Sequence, residues 1–362
     1  MEKNERNGGI YNRGMISKKS VDGVCSFDSS NGSRDVRSCE DAESSSADHL
    51  VVMVHGILGG PTDWEFASEQ FVRMFPDKII VHCSQRNSSK LSLDGVDVMG
   101  ERLTLEVLDI VHRKPNLRKI SFLAHSVGGL VARYAIGKLY RPAKQKRDGV
   151  ATIASLKPVN FITVATPHLG SRGNKQVPFL LGVPVFEKVA SHCVHWIFKR
   201  TGCHLFLTDG EKGKPPLLKR MVQDYGDYYW MSALEAFQRR VAYANATYDH
   251  IVGWRTSSIR RNDELPKWED FIDERYPHIV HEEHCKAEDK ERTKFSARGG
   301  AFDMLEEELV KGLSRVSWHK VDVSFHKCKH RFAAHSVIQV KDQIVHMEGK
   351  DVVQHMLDHF LL

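Results

Sequence analysis

Ser126 sits in the run "SFLAHSVGG", where a stretch of apolar residues meets a pair of glycines. A serine in that place is either turn filler or a nucleophile held on a tight bend. Its surroundings read A-x-S-x-G, with Ala124, Ser126 and Gly128 in the fixed positions, a relaxed form of the G-x-S-x-G strand–turn–helix elbow. Small residues are required there because the bend crowds the backbone. A serine hydroxyl is a weak nucleophile until an imidazole takes its proton, and the imidazole needs a carboxylate to hold its tautomer and stabilise its charge. On such an elbow the order along the chain is Ser, acid, His. The acid is expected at Asp249, which closes the apolar-rich run "RRVAYANATYD". Candidates for the base follow in "VDVSFHKCKHRFAAHSVIQV", namely His326, His330 and His335. His335 is preferred because it lies well beyond the strand end, just before the closing segments, with His330 the main alternative.

Acyl transfer also needs two N–H donors aimed at the developing oxyanion, each contributing on the order of 3 kcal/mol to the barrier. The run "VVMVHGILGGPTDW" (residues 51–64) ends a strand in His55-Gly56 and continues into a glycine-rich loop. The expected pair is the amide of Val127, directly after the serine, and that of Ile57, with Leu58 as the fallback.

Elements that could position these groups alternate along the chain. Short continuous apolar runs suit strands buried on both faces: "HLVVMVHG", "KIIVHCS", "KISFLAHS", "VNFITVATP", "RRVAYANATYD" and "WHKVDVSF". Helical spacing lies between them, over 98–113 (Val98, Leu103, Leu105, Val107, Leu108, Val111), over 127–140, and in the closing "GKDVVQHMLDHFLL". Strands alternating with helices imply a mostly parallel sheet covered by helices on both faces, an α/β fold with its ligand site at the carboxyl ends of the strands. Residues 1–48, rich in Ser, Asn, Gly and Asp, are expected to be a disordered tail ahead of one domain over 49–362. Alternation fails over about 170–238, read as a cap or lid insertion, and over about 255–299, read as a polar surface insertion.

The chain has 362 residues, 27% of them charged, with a formal net charge of +6. Its lysines and arginines are interspersed with acids, so nucleic acid is not an expected partner. Seven scattered cysteines form no disulfide framework, and no run approaches the ~20 apolar residues of a membrane span. These features lead to an expected cytoplasmic localisation; the apolar segments "VPFLLGVPVF" and "HWIFKRTGCHLFL" of the cap read either as a cap packed on the core or as an acyl-chain groove or lid in peripheral contact with a membrane. "HEEHC" (residues 281–285) spaces its histidines three apart rather than the four of a helical zinc site, and no glycine-rich nucleotide loop occurs. No metal or organic cofactor is therefore expected. His168 in "TPHLGS" precedes the acid and reads as a structural or pocket-lining group rather than the base.

Taken together, "VVMVHGILGG", "LAHSVGGLVARYAIG", "FITVATPHLGSRG", "YANATYDHIVGWRTSSIRR" and "AHSVIQV" resemble the DUF676 group of plant and fungal serine esterases and lipases, within the α/β-hydrolase superfamily. The resemblance spans roughly residues 49–362. It implies Ser126 as nucleophile, Asp249 as acid, His335 as base, and a carboxylic ester, expected to be a lipid ester, as substrate. Two alternatives stay open: an acyltransferase or thioesterase using the same triad, and a non-catalytic lipid-binding scaffold.

Overall fold

A computed structural model describes residues 46–143, 149–171, 198–267, 273–288 and 301–362. The expected tail falls almost wholly outside the described residues, as does "VPFLLGVPVF" of the expected cap.

All six apolar runs form strands: β1 (His49–Val54), β2 (Ile79–Cys83), β3 (Lys119–His125), β4 (Lys157–Val164), β5 (Arg239–Asn245) and β7 (Trp318–Val323). A further strand, β6 (Ile279–Cys285), completes a seven-stranded sheet of order β2-β1-β3-β4-β5-β7-β6. Every pairing is parallel except β6 against β7. Burial on both faces explains the continuous apolar runs. Leu50, Val52 and Val54 of β1 enter one core and Val51 and Met53 the other, the period-2 alternation of a pleated strand.

The first core is closed by α2 (Val96–Arg113), α3 (Val127–Leu139), α4 (Trp230–Ala236) and α6 (Ala301–Leu313). On α2 the buried stripe Val96, Met99, Leu103, Val107 and Ile110 recurs at steps of three and four, as one face of a helix must. The second core is closed by α1 (Glu65–Met74), through Ala67 and Phe71, and by α7 (Lys350–Asp358), through Val352, Val353, Met356 and Leu357. Register brings the strand ends level: Val54 pairs with Ala124, His125 with Val164, and Asn245 with Val323. The loops after β1, β3, β5 and β7 therefore open at one end of the sheet.

Of the two stretches read as insertions, most of the first half of 170–238 lies outside the described residues, and the structure corrects the reading of 255–299. Within 170–238, Leu217, Leu218, Met221, Trp230, Ala233, Leu234 and Phe237 are built into the first core, and Trp230 stacks on Tyr228 at 4.9 Å between ring centres. Within 255–299, strand β6 is part of the main sheet rather than a surface excursion. Its polar sequence is accommodated by hydrogen-bonded polar pairs instead of apolar contacts. His281 Nδ1 lies 3.1 Å from Asp322, and Glu282 joins His319 at 2.8 Å and His355 at 3.2 Å. Glu283 accepts from Arg260 at 3.1 Å. Charged side chains on an edge strand also discourage pairing with another chain. The Arg260 guanidinium continues inward to the fully buried Asp322, at 2.8 and 2.9 Å, and so ties α5 (Trp254–Ser258) and its following turn to β7.

Candidate active site

Ser126 stands where β3 turns into α3, with φ 54° and ψ −134°, a left-handed conformation unusual for a residue with a side chain. Strain of this kind amounts to roughly 1–3 kcal/mol and persists only where neighbours fix the backbone. Here the Ser126 amide donates to Val164 O at 2.9 Å, and its carbonyl accepts from Gly129 at 3.1 Å. Close packing accounts for two glycines. A Cβ on Gly128 would lie 2.5 Å from His55 O and 2.6 Å from Val54 O, so the elbow can approach the end of β1 only without one. A Cβ on Gly56 would lie 2.9 Å from Ser126 Cβ, which sets the His55–Ile57 backbone directly beside the serine.

The structure brings Ser126, His335 and Asp249 together. His335 lies in the short helix Ala334–Val337 beyond β7, and its Nε2 is 3.0 Å from Ser126 Oγ. Its Nδ1 is 2.9 Å from Asp249 Oδ2. A carboxylate only accepts, so Nδ1 carries the proton and the Nε2 lone pair faces the serine hydroxyl. Asp249 is fixed on every side by donors: Oδ1 accepts the Ile251 amide at 3.0 Å and the Val252 amide at 2.8 Å, and Oδ2 also accepts from Asn245 Nδ2 at 2.8 Å. Burial would raise the pKa of this carboxyl. The adjacent imidazole, its hydrogen bond, and the Val252 and Asn245 donors outweigh burial and hold it below its ordinary value. The other two histidine candidates have different partners: His326 meets Ser324 Oγ at 3.0 Å, and His330 meets Glu348 at 3.2 Å. His168 is fully buried, with Nε2 2.9 Å from Thr163 Oγ1.

Of the two amides considered in the loop after β1, Leu58 N–H donates to Ser92 Oγ at 2.7 Å. Ile57 N–H and Val127 N–H make no hydrogen bond among the described residues.

Sequence reasoning passed over His125. Its Nε2 lies 2.7 Å from His335 O, and the two rings are 4.6 Å apart. Because the carbonyl accepts, Nε2 carries the proton. Burial, followed by the charge of His335, pushes the His125 pKa well below the ordinary imidazole range, so the ring is a neutral donor. It links the strand carrying the serine to the backbone of the histidine facing it. Asn245 was likewise missed, although its position four residues before Asp249 was a signal available in the sequence. No local signal marks His125, whose partner is a carbonyl 210 residues away.

A central parallel sheet, helices on both faces and a serine on a strained strand-to-helix turn define the α/β-hydrolase fold. The model of the DUF676 family, described as a putative serine esterase, matches residues 44–259, and the chain belongs to that family. The match takes in Ser126 and Asp249 and ends before His335. The chain is 32% identical over 218 residues to a protein of Saccharomyces cerevisiae named putative lipase ROG1, covering 58% of this chain and 28% of that one. It is 31% identical over 221 residues to putative lipase C4A8.10 of Schizosaccharomyces pombe, covering 58% and 26%. It thus spans under a third of the length of either relative. Among solved structures, Bacillus licheniformis lipase BlEst2 in its propeptide form superposes with a TM-score of 0.36 at 13% identity, over 57% of this chain and 38% of that one. Phospholipase PlaB of Legionella pneumophila gives 0.35 at 15% identity, over 56% and 38%. Among the described residues, no group of three or more His, Cys, Asp or Glu side chains is disposed to hold a metal ion, and no helix is long and apolar enough to cross a membrane.

Proposed function

We propose that the chain is a serine hydrolase of carboxylic esters, and that its substrates are lipid esters. The observation that carries the reading is the continuous line Ser126 Oγ–His335 Nε2–Asp249 Oδ2, with separations of 3.0 and 2.9 Å. In this mechanism His335 takes the serine proton as Oγ attacks the ester carbonyl, and Asp249 stabilises the resulting imidazolium. The tetrahedral oxyanion is received by the amides of Ile57 and Val127. Collapse expels the alcohol, which takes its proton from His335, and leaves an acyl-Ser126. Water, deprotonated by the same imidazole, then releases the acid and restores the hydroxyl. No cofactor enters this sequence. The ester preference is supported by the family and by the names of the yeast relatives, and the lipid preference by those names alone. A fluorophosphonate probe tests the reading: it should label the parent chain and leave Ser126→Ala unlabelled. Equal labelling of both, or of neither, would remove Ser126 as the nucleophile.

A further inference from the structure

Chemistry at Ser126 does not account for the character of the surface around it. The loops after β1, β5 and β7, which open at the same end of the sheet, carry exposed apolar side chains: Leu58, Ile251, Phe332, Ile344 and Val345. Phe332 is 66% exposed and Ile344 91%. Loop tips in water are ordinarily polar, and large apolar side chains this exposed on several loops at one end of a sheet call for a partner.

These side chains are held outward by built contacts. The Phe332 ring stands edge-on to Tyr248 at 5.3 Å and stacks on His250 at 6.1 Å, while the Arg331 guanidinium lies over Tyr248 at 5.5 Å and over Phe332 at 5.0 Å. Tyr248 and His250 flank Asp249, so the loops bearing the acid and the histidine are clasped together at the surface. Ile344 and Val345 occupy a turn braced from within, since Asp342 Oδ1 accepts both of their amides at 2.8 Å. That loop is anchored to its neighbours by Lys341 Nζ–Asp63 at 3.2 Å and by His330–Glu348 at 3.2 Å.

Charge selects the occupant. Residues 326–350 hold five cations (Lys327, Lys329, Arg331, Lys341, Lys350) and two acids (Asp342, Glu348), and Lys341 is offset by Asp63. Both acids accept hydrogen bonds from their own loops, Asp342 from the turn amides and Glu348 from the Lys329 amide at 3.0 Å and from His330. Aliphatic and aromatic tips set among cations match a bilayer surface, where apolar groups enter the headgroup–acyl boundary and lysines and arginines meet phosphates.

We propose that this end of the sheet docks on an anionic lipid bilayer through Phe332, Ile344 and Val345, with the exposed Lys329 and Lys350 on the headgroups. The docking rests on the hydrolase reading for its purpose, delivery of a membrane ester to Ser126, but not for its geometry. The test is cosedimentation of the full Ser126→Ala chain, which needs no turnover, with vesicles of phosphatidylcholine alone or mixed with phosphatidylserine. Partitioning should favour the mixed vesicles, weaken with added salt, and fall about five-fold for each cation neutralised, as in Lys329→Gln. Ile344→Asp with Val345→Asp should lower it at least about ten-fold, with an unchanged circular dichroism melt as the folding control. No partitioning into the mixed vesicles, or partitioning unaffected by the double substitution in a folded chain, overturns the docking. A parent chain that hydrolyses soluble esters while its Ser126→Ala form ignores vesicles would refute docking alone. A chain that binds vesicles by these residues without hydrolysing esters would support docking and refute the hydrolase reading.

Discussion

Replacing Asp249 by Asn keeps the shape of the side chain and reverses the character of half its polar face. All four groups around the carboxylate are donors: the amides of Ile251 and Val252 on Oδ1, and Asn245 Nδ2 and His335 Nδ1 on Oδ2. An amide offers one acceptor and one NH₂ group. With its oxygen toward the two backbone amides, the new NH₂ faces the imidazole, which must move its proton to Nε2 and so points a hydrogen at Ser126 Oγ. With its oxygen toward the imidazole, NH₂ is driven against two backbone N–H groups. The first arrangement strands fewer donors and is the one expected. It abolishes the lone pair that accepts the serine proton, so kcat should fall on the order of 10⁴-fold. Stability should fall by only about 1–3 kcal/mol, because a buried charge is lost together with its hydrogen bonds. The assay is steady-state hydrolysis of a soluble p-nitrophenyl ester, paired with urea denaturation. Asp249→Asn within about tenfold of the parent kcat would refute the assignment of this carboxylate.

Three further outcomes follow from the geometry. Gly56→Ala places a methyl group 2.9 Å from Ser126 Cβ and 3.4 Å from its Oγ, displacing the loop that supplies the Ile57 amide. Its kcat should drop about a hundredfold, with a lowered thermal melt because the crowded backbone must shift, and a parent-like kcat in the folded variant would exclude that loop from oxyanion binding. His125→Phe removes the donor to His335 O and should lower kcat by roughly tenfold to a hundredfold at constant KM, whereas a change in KM alone would contradict a positioning role. His49 gives a pH signature. Ser121 Oγ accepts both Asn160 donors, at 3.0 and 2.9 Å, and so gives its own proton to His49 Nε2 at 2.8 Å. Burial first, then Lys119, lowers the His49 pKa from 6.5 to about 4. Because the unfolded chain binds this proton more readily, the contribution is fully present above pH 6.5 and is lost as pH falls toward 4. It amounts to about 3 kcal/mol. In His49→Asn, the decline of urea-unfolding stability over that window should be shallower than in the parent, and an identical slope would refute the effect.

The six parallel strands were legible because burial on both faces leaves a continuous apolar run that no surface segment imitates. Ser126 was legible for a related reason: the bend admits only Ala124 and Gly128 around it, which leaves a pattern in residue types. Strand β6 was not, because its place at the edge is held by His281, Glu282 and Glu283 pairing with Asp322, His319, His355 and Arg260. Such pairs are formed by distant residues and give no alternation of apolar and polar positions. The same holds for Trp230 and its neighbours, whose burial depends on the surface offered by α3. At the site, residue types and their order pointed to a serine, an acid and a set of histidines. Which histidine meets the serine depends on how the chain after β7 curls back over β3, and the His125–His335 contact exists only once that has happened.

Trapping the acyl-enzyme probes the chemistry itself. The protein is mixed with a p-nitrophenyl ester, quenched in acid within the pre-steady-state burst, digested and analysed by mass spectrometry. Acyl mass on the peptide containing Ser126, and none on that peptide in Ser126→Ala, is the expected result. Ester hydrolysis by Ser126→Ala at the parent rate, or acyl mass on a different peptide of the parent, would contradict it.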